Sequence, residues 1–479
     1  MSTFANSVLV QTGQGSTLQT TGAFDNPRKK RPHSKSRRGC VACKRRRVKC
    51  DERSPCSSCI KRNIQCLQPS HLHIIGTSLS TANAHLKMDT NPTISLLHLE
   101  LFHHWDTQTR STLAFTQIWP VVMQRAFHEE FIMSAILCVA ALHLVSLRPA
   151  DRKYAHASMH LTVKTAQLFR RNLSRAFTKH NCEALMGAAL LINYISWSDV
   201  GFLMDNDDDD DDDDASKSKR GLRLEQDQLF LMSPGIVRVW FAAVPVFIDE
   251  GSVFVQLLTR DTRGSLERAL VERGENPERF VEPFMNMWDD ELSQVRGADE
   301  TRVDGPTSYA WRFLRGLERN LLPCRGNSAY DGGHNEQNGM VYLKDTVTKL
   351  TAQSMSLHES SLHSARESFK YIIRRLSPLL CCIALLESTT QTDPIIDSCA
   401  TDIEQLVYGF PILCCGPFAE LVTRKDSRAL VFLFHFYWAV RVLLEERCWW
   451  AATRSRLMEK AILKELEARG IDMEAIMIR

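Results

Sequence analysis

From Thr93 onward apolar residues recur with a helical period, and no strand-like alternation competes with them. Asn91, Pro92 and Thr93 supply a start signal ahead of ISLLHLELFHHW. The pattern predicts helices over residues 94–106, 112–127, 129–147, 151–178 and 181–197. It predicts more over 226–258, 264–273, 277–295, 306–321, 341–355, 358–388, 399–410, 427–446 and 449–469. Two stretches interrupt the series. Asp205 and the eight consecutive aspartates Asp207 to Asp214, followed by SKSKR, repel one another too strongly to pack, so residues 203–220 are expected to form an exposed, disordered insert. PCRGNSAYDGGHNEQNG, from Pro323 to Gly339, is polar and rich in Gly and Asn, and reads as a long surface loop.

Ahead of the helices the pattern changes character. Residues 1–27 are rich in Ser, Thr, Gly and Gln with no period, and are expected to be disordered. Residues 70–93 lack heptads and sustained amphipathicity, so they read as a linker without a coiled-coil dimerisation helix. Monomer binding and dimerisation through the helical part both stay open. At 479 residues the chain exceeds one ordinary core. The organisation expected is a basic, cysteine-rich module over 28–69 and an all-helical regulatory domain over 94–479.

Charge sharpens that division. Formal net charge is +3, but residues 28–66 hold fifteen Lys and Arg against Asp51 and Glu52, a local +13 that leaves −10 for the remainder. A strongly basic module therefore sits on an acidic body, the balance expected of a nucleic-acid binder. Within RKKRPHSKSRR, Arg28, Lys29, Lys30 and Arg31 are candidates for nuclear import and for contacts to phosphate. The N-terminus has neither a charged n-region nor a long apolar h-region, so no secretory signal is read. Phe131 to Leu147 is an apolar stretch without Asp, Glu, Lys or Arg; it is short for a span, and a buried helix is expected in preference to a membrane crossing.

The chemistry lies in Cys40, Cys43, Cys50, Cys56, Cys59 and Cys66, spaced C-x2-C-x6-C-x5-C-x2-C-x6-C. In a reducing compartment such a pattern points to metal before disulfides. Two halves of identical spacing make six ligands for zinc, which wants four thiolates at about 2.3 Å. Two separate zincs would need eight positions, and two bridging thiolates close the count; the paired halves argue for a binuclear cluster. Each C-x2-C can close a tight turn, and each six-residue interval is long enough for a short helix. A module this small takes its folding free energy from the metal, on the order of 10 kcal/mol or more per structural zinc. The interval between Cys43 and Cys50 carries Lys44, Arg45, Arg46, Arg47 and Lys49, which makes the first half the one expected to face DNA. Arginine at a helix start can read guanine O6 and N7 bidentately, and the other cations neutralise phosphates. An iron–sulfur or redox protein is the competing reading of a C-x-x-C, and the matched basic halves disfavour it. No histidine pair follows at finger spacing, which excludes a C2H2 finger.

The run CVACKRRRVKCDERSPCSSCIKRNIQC resembles the fungal zinc binuclear cluster (Gal4-type) DNA-binding domain, including the Asp after the third Cys and the Pro before the fourth. The resemblance implies that Cys40 and Cys56 bridge the two metals and that the first helix reads a CGG-like triplet, with Arg46 and Arg47 in the base-contacting positions. Arg47 stands where that family usually has lysine. LELFHHWDTQT at 99–109, FIMSAILCVAALHL at 131–144 and FLFHFYWAVRVLLEERCWWAATRSRLMEKAILKELEARG at 432–470 resemble the helical regulatory region of such regulators, sterol uptake control proteins in particular. That resemblance implies a domain that senses a hydrophobic small molecule and gates transcription.

The function expected is a sequence-specific DNA-binding transcription regulator in the nucleus, recognising CG-containing sites and acting with the RNA polymerase II machinery or coactivators. Sterol or lipid genes and secondary-metabolite genes fit these residues equally. A repressor or scaffold without an activating surface is the alternative. An enzyme tethered to DNA fares worst, since no P-loop, G-x-G-x-x-G, G-x-S-x-G or H-E-x-x-H occurs. His103, His104, His128 and His435 lack metal-ligand spacing and are expected to be structural. Leu413, Cys414, Cys415, Phe418, Trp438, Trp449 and Trp450 read first as core residues and only second as a ligand pocket.

Overall fold

A computed structural model of the chain describes residues 40–46, 48–53, 56–62, 95–175, 177–203, 222–288, 300–303, 305–325, 335–355, 361–388 and 394–472. The chain divides into two compact units, Met1–Thr81 and Ala82–Arg479. The linker, the basic arm, the aspartate run and residues 1–27 lie outside the described residues.

In the first unit, α1 (Val41–Arg45) and α2 (Ser57–Ile60) each follow the first cysteine of a half directly. This differs from the expectation that the helices fill the six-residue intervals. Cys40 and Cys56 stand in extended backbone at the two N-caps, and the Cys40 sulfur accepts from Cys43 N–H, so each helix spans its own C-x2-C. Arg46 consequently caps the end of α1, where sequence reasoning placed an arginine at a helix start.

The second unit is almost wholly helical. Its first half holds α3 (Leu96–Thr107), α4 (Trp119–Ala126), α5 (Glu130–Leu147), α6 (Arg152–Leu173) and α7 (Cys182–Ser198). Then come α8 (Gln228–Leu231), α9 (Ser233–Asp249), α10 (Gln256–Thr259), α11 (Thr262–Glu272), α12 (Val281–Asn286), α13 (Gly305–Arg325) and α14 (Asn335–Met355). The last part holds α15 (Ala365–Ser388), α16 (Pro394–Ser398), α17 (Ala400–Leu413), α18 (Pro417–Thr423), α19 (Ser427–Leu444) and α20 (Trp449–Ala468).

Four expectations need correction. Residues 113–118 are not helical, because a short 3-10 turn at Thr109–Thr112 ends well before α4 starts at Trp119, with Pro120 in its first turn. The single helix expected over 226–258 is four short pieces and one long one, with Asp227 capping α8 and Ser252 capping a 3-10 turn. The loop expected from Pro323 to Gly339 is helical at both ends, since α13 runs to Arg325 and α14 begins at Asn335. Lastly, β1 (Glu300–Val303) and β2 (Ser361–Ser364) pair antiparallel, Glu300 opposite Ser364 and Val303 opposite Ser361. Four residues per strand leave too little alternation to register against a helical background.

Helices α5, α7 and α19 are apolar on almost every face and sit inside the bundle. α5 packs on α6, α7, α3 and α4, while α19 packs on α20 and α15. By length and composition three helical stretches among the described residues are long and apolar enough to cross a membrane: Glu130–Leu147, Gln228–Asp249 and Ser427–Leu444. In this fold 67%, 50% and 78% of them is buried against neighbouring helices. Sequence reasoning found only the first of the three. Aromatic rings join the central helices, with Tyr194 on α7 at 4.4 Å from Tyr408 on α17, and Phe410 stacked on Phe436 at 4.2 Å.

One buried polar cluster holds the ends of this bundle together. Arg454, on α20, pairs with Asp227 at 2.7 Å, and both side chains are fully buried. Its remaining donors reach the carbonyls of Ser196, Trp197 and Asp199 at the end of α7, and its guanidinium lies over the Phe202 ring. Asp227 also accepts from Leu229 N–H at 2.9 Å. Such saturation is what a charge pair deep in a core requires.

Candidate zinc and nucleic-acid site

Four sulfurs converge in the first unit. Cys40, Cys43, Cys56 and Cys59 are buried, and their Sγ atoms lie within 4.8 Å of one another. Cys40 Sγ is 3.7 Å from Cys56 Sγ and 3.6 Å from Cys59 Sγ, and Cys43 Sγ is 3.6 Å from Cys56 Sγ. A tetrahedron of sulfurs about 2.3 Å from a zinc ion has edges of about 3.8 Å, so these separations fit the metal. Cys56 also belongs to a second group with Cys50 and Asp51. Backbone N–H groups point at the sulfurs: Cys40 N–H and Glu52 N–H donate to Cys50 Sγ at 3.4 Å, and Cys43 N–H donates to Cys40 Sγ at 3.4 Å. These donors orient the sulfurs, and zinc binds cysteine as the thiolate. Cys66, Arg47 and the side chain of Arg45 lie outside the described residues, as do Arg28, Lys29, Lys30 and Arg31.

The chain between the halves turns at Glu52, whose φ of +59° is in the left-handed region. Asp51 then reaches forward to Ser57 at the start of α2, accepting from its N–H at 3.1 Å and from its hydroxyl. Those hydrogen bonds, the hydroxyl's first, hold the Asp51 carboxyl below its ordinary value. Ser57 and Ser58 were passed over in the sequence, where nothing local marks them; folding brings Asp51 to the first and Arg46 to the second.

Arg46 is half-buried, and the structure gives it partners inside the module. Its Nε donates to Ala42 O at 3.3 Å and its terminal nitrogen to Ser58 Oγ at 3.1 Å, so one guanidinium ties the first half to the second. Lys44 and Lys49 are exposed on the first half, but Arg53, Lys61 and Arg62 are exposed as well. Positive charge thus covers both halves.

In the body, His103 is exposed, whereas His104, His143 and His435 are buried. His143 Nδ1 lies 3.0 Å from Thr109 Oγ1 and its ring stacks on Trp449 at 4.7 Å. His435 Nδ1 lies 2.8 Å from Val431 O. His143 and His435 are packed, hydrogen-bonded groups, and the described residues of the body bring no metal-ligand cluster together. Cys414, Cys415, Phe418, Trp438 and Trp450 are core residues, while Leu413 and Trp449 are partly buried against it.

Comparison with known proteins follows the same division. Residues 38–71 match the fungal Zn(2)-Cys(6) binuclear cluster domain, a domain that binds two zinc ions. Residues 101–204, which span α3 to α7, match the fungal specific transcription factor domain. A curated relative, a Zn(2)-C6 fungal-type transcription factor of Gibberella zeae (strain ATCC MYA-4620 / CBS 123657 / FGSC 9075 / NRRL 31084 / PH-1), is 28% identical over 242 residues. The alignment covers 37% of this chain and 49% of that protein, so the chain spans about half the length of the relative it matches. No solved structure matches the chain. Neither domain match is to an enzyme family. A fungal Zn(2)-Cys(6) binuclear cluster domain thus precedes a fungal specific transcription factor domain in this chain, with the sulfur geometry and the helical body each at the place where its domain is matched.

Proposed function

We propose that this protein is a sequence-specific DNA-binding regulator of transcription that acts in the nucleus. Its cluster holds two zinc ions, with Cys40 and Cys56 bridging and Cys43, Cys50, Cys59 and Cys66 completing the ligand set. The observation that carries the reading is Cys56, whose sulfur falls in both groups of candidate ligands, as a bridging thiolate must. Lys44, Arg45 and Lys49 contact phosphates, and Arg47 reads a base in a CG-containing site. Arg46 sets the angle between the two halves through Ser58 and so presents α1 to the groove. Once bound, zinc supplies a rigid scaffold and no reaction.

The test is binding of the zinc-loaded full chain to CG-containing and scrambled duplexes across a salt series. Arg47→Ala should flatten the preference, while Lys49→Ala should weaken all duplexes alike and lower the salt slope by about one. Equal affinity for scrambled DNA at every salt concentration would sink the proposal.

The helical body sets transcriptional output through the RNA polymerase II machinery or coactivators, and its targets are sterol, lipid or secondary-metabolite genes. Genome-wide mapping of occupied sites identifies them, and tethering the body to a neutral DNA-binding domain reads the sign of regulation. A hydrophobic ligand of the body would show as saturable sterol binding with a thermal shift.

A further inference from the structure

Arg315 on α13 and Lys370, Tyr371 and Arg374 on α15 surround a depression of about 130 Å³, with Glu367 on its wall. It lies outside the stretch matched to the transcription factor domain. Its floor is built before any ligand arrives. The buried rings of Trp311 and Tyr371 meet edge to face at 5.3 Å. The Arg315 guanidinium lies 5.0 Å from the Tyr371 ring centre and 5.5 Å from that of Trp311, and its terminal nitrogen is 3.5 Å from the Glu367 carboxylate. Arg375 covers Tyr371 at 4.3 Å and donates to its hydroxyl. Arg374 is steadied by Glu278 at 3.4 Å.

Three cations line so small a space against Glu367 and, beside Arg374, Glu278, which leaves the cluster positive by one charge. A guanidinium whose orientation is fixed by aromatic packing loses little entropy on binding a tetrahedral oxyanion bidentately, and Lys370 adds a point charge. We propose that this depression binds the phosphoryl group of a small molecule, which displaces Glu367 from Arg315 as it enters.

Titration calorimetry on the zinc-loaded full chain tests this with inorganic phosphate, pyrophosphate and glycerol 3-phosphate, against sodium chloride of equal ionic strength. Saturable binding is expected, and the exposed pair Lys370→Ala/Arg374→Ala should weaken it about tenfold or more. Glu367→Gln removes the internal competitor and should tighten binding several-fold, an effect that damage to the fold would not give. Binding of glycerol 3-phosphate identifies a phosphomonoester as the ligand, whereas binding of the inorganic anions alone identifies the free ion. Absence of saturable binding by all three probes, or affinities unchanged in both variants, would overturn the assignment, since the latter would place the anions at another basic surface.

Discussion

The guanidinium of Arg454 lies 2.7 Å from the carboxylate of Asp227, 227 residues away, and solvent reaches neither side chain. Burial raises the Asp227 carboxyl above its ordinary value, and Arg454 together with Leu229 N–H draws it back. Removing one partner leaves the other charge buried and alone. Arg454→Met should therefore cost the body about 3–5 kcal/mol in denaturant unfolding. The double variant Arg454→Met/Asp227→Leu should recover much of that loss, and a double variant no better than the single would refute the pairing argument.

The cluster should release its metal as a unit. Two zinc ions per chain are expected by atomic emission, with Cys56→Ser losing more zinc than Cys59→Ser because one sulfur serves both metals. Chelation should abolish DNA binding while leaving the melting of the helical body in place, since the body draws no ligand from its described residues.

His143 predicts an acid sensitivity. Burial pushes its imidazole down to about 4, with repulsion from His104 as the lesser cause. An unfolded histidine takes up its proton near pH 6.5, so the unfolded chain binds the proton first and stability falls as pH drops from about 6.5 towards 4. The slope is about 1 kcal/mol per pH unit, and His143→Gln should flatten it in thermal unfolding. An unchanged slope would place the acid sensitivity elsewhere.

Glu404 acts in the opposite direction. Burial raises its carboxyl to about 7, Arg447 lowering it only in part, and Oε1 is buried without a hydrogen-bond partner. Its contribution is fully present below about pH 4.5 and is lost as pH rises through about 7. Glu404→Gln should therefore stabilise the body by roughly 1–3 kcal/mol at pH 8 and change little at pH 4. Equal effects at the two pH values would contradict this.

Gly416 stands at the start of α18 with a φ of +71°, and a Cβ there would meet the Trp311 side chain at 2.6 Å. Gly416→Ala combines the left-handed penalty with a clash against a buried indole, so a loss of about 2–4 kcal/mol is expected. Because Trp311 supports Arg315, phosphate binding should weaken with it.

The metal site was largely legible because its chemistry is local: six cysteines within 27 residues fix a ligand count by arithmetic alone. Helices α5 and α19 were legible because apolar side chains fill nearly every position along them. Arg46 shows where such reading stops. The resemblance places it among the base-contacting positions, and its bond to Ser58 becomes visible only when folding brings that hydroxyl to its guanidinium. The pairing of Arg454 with Asp227 was beyond reach for the same reason, since neither residue departs from an ordinary helix-surface pattern in its own neighbourhood. Ser252 and Asp227, which cap the short helices between Gln228 and Thr259, compete with an apolar periodicity that runs straight through them.

Arg454 also fastens the end of α7 to the start of α8, since its bonds reach the carbonyls of Ser196, Trp197 and Asp199 and the carboxylate of Asp227. Three elements far apart in the chain share one guanidinium, so α20 and the facing ends of α7 and α8 should open together in amide hydrogen exchange and speed up together in Arg454→Met.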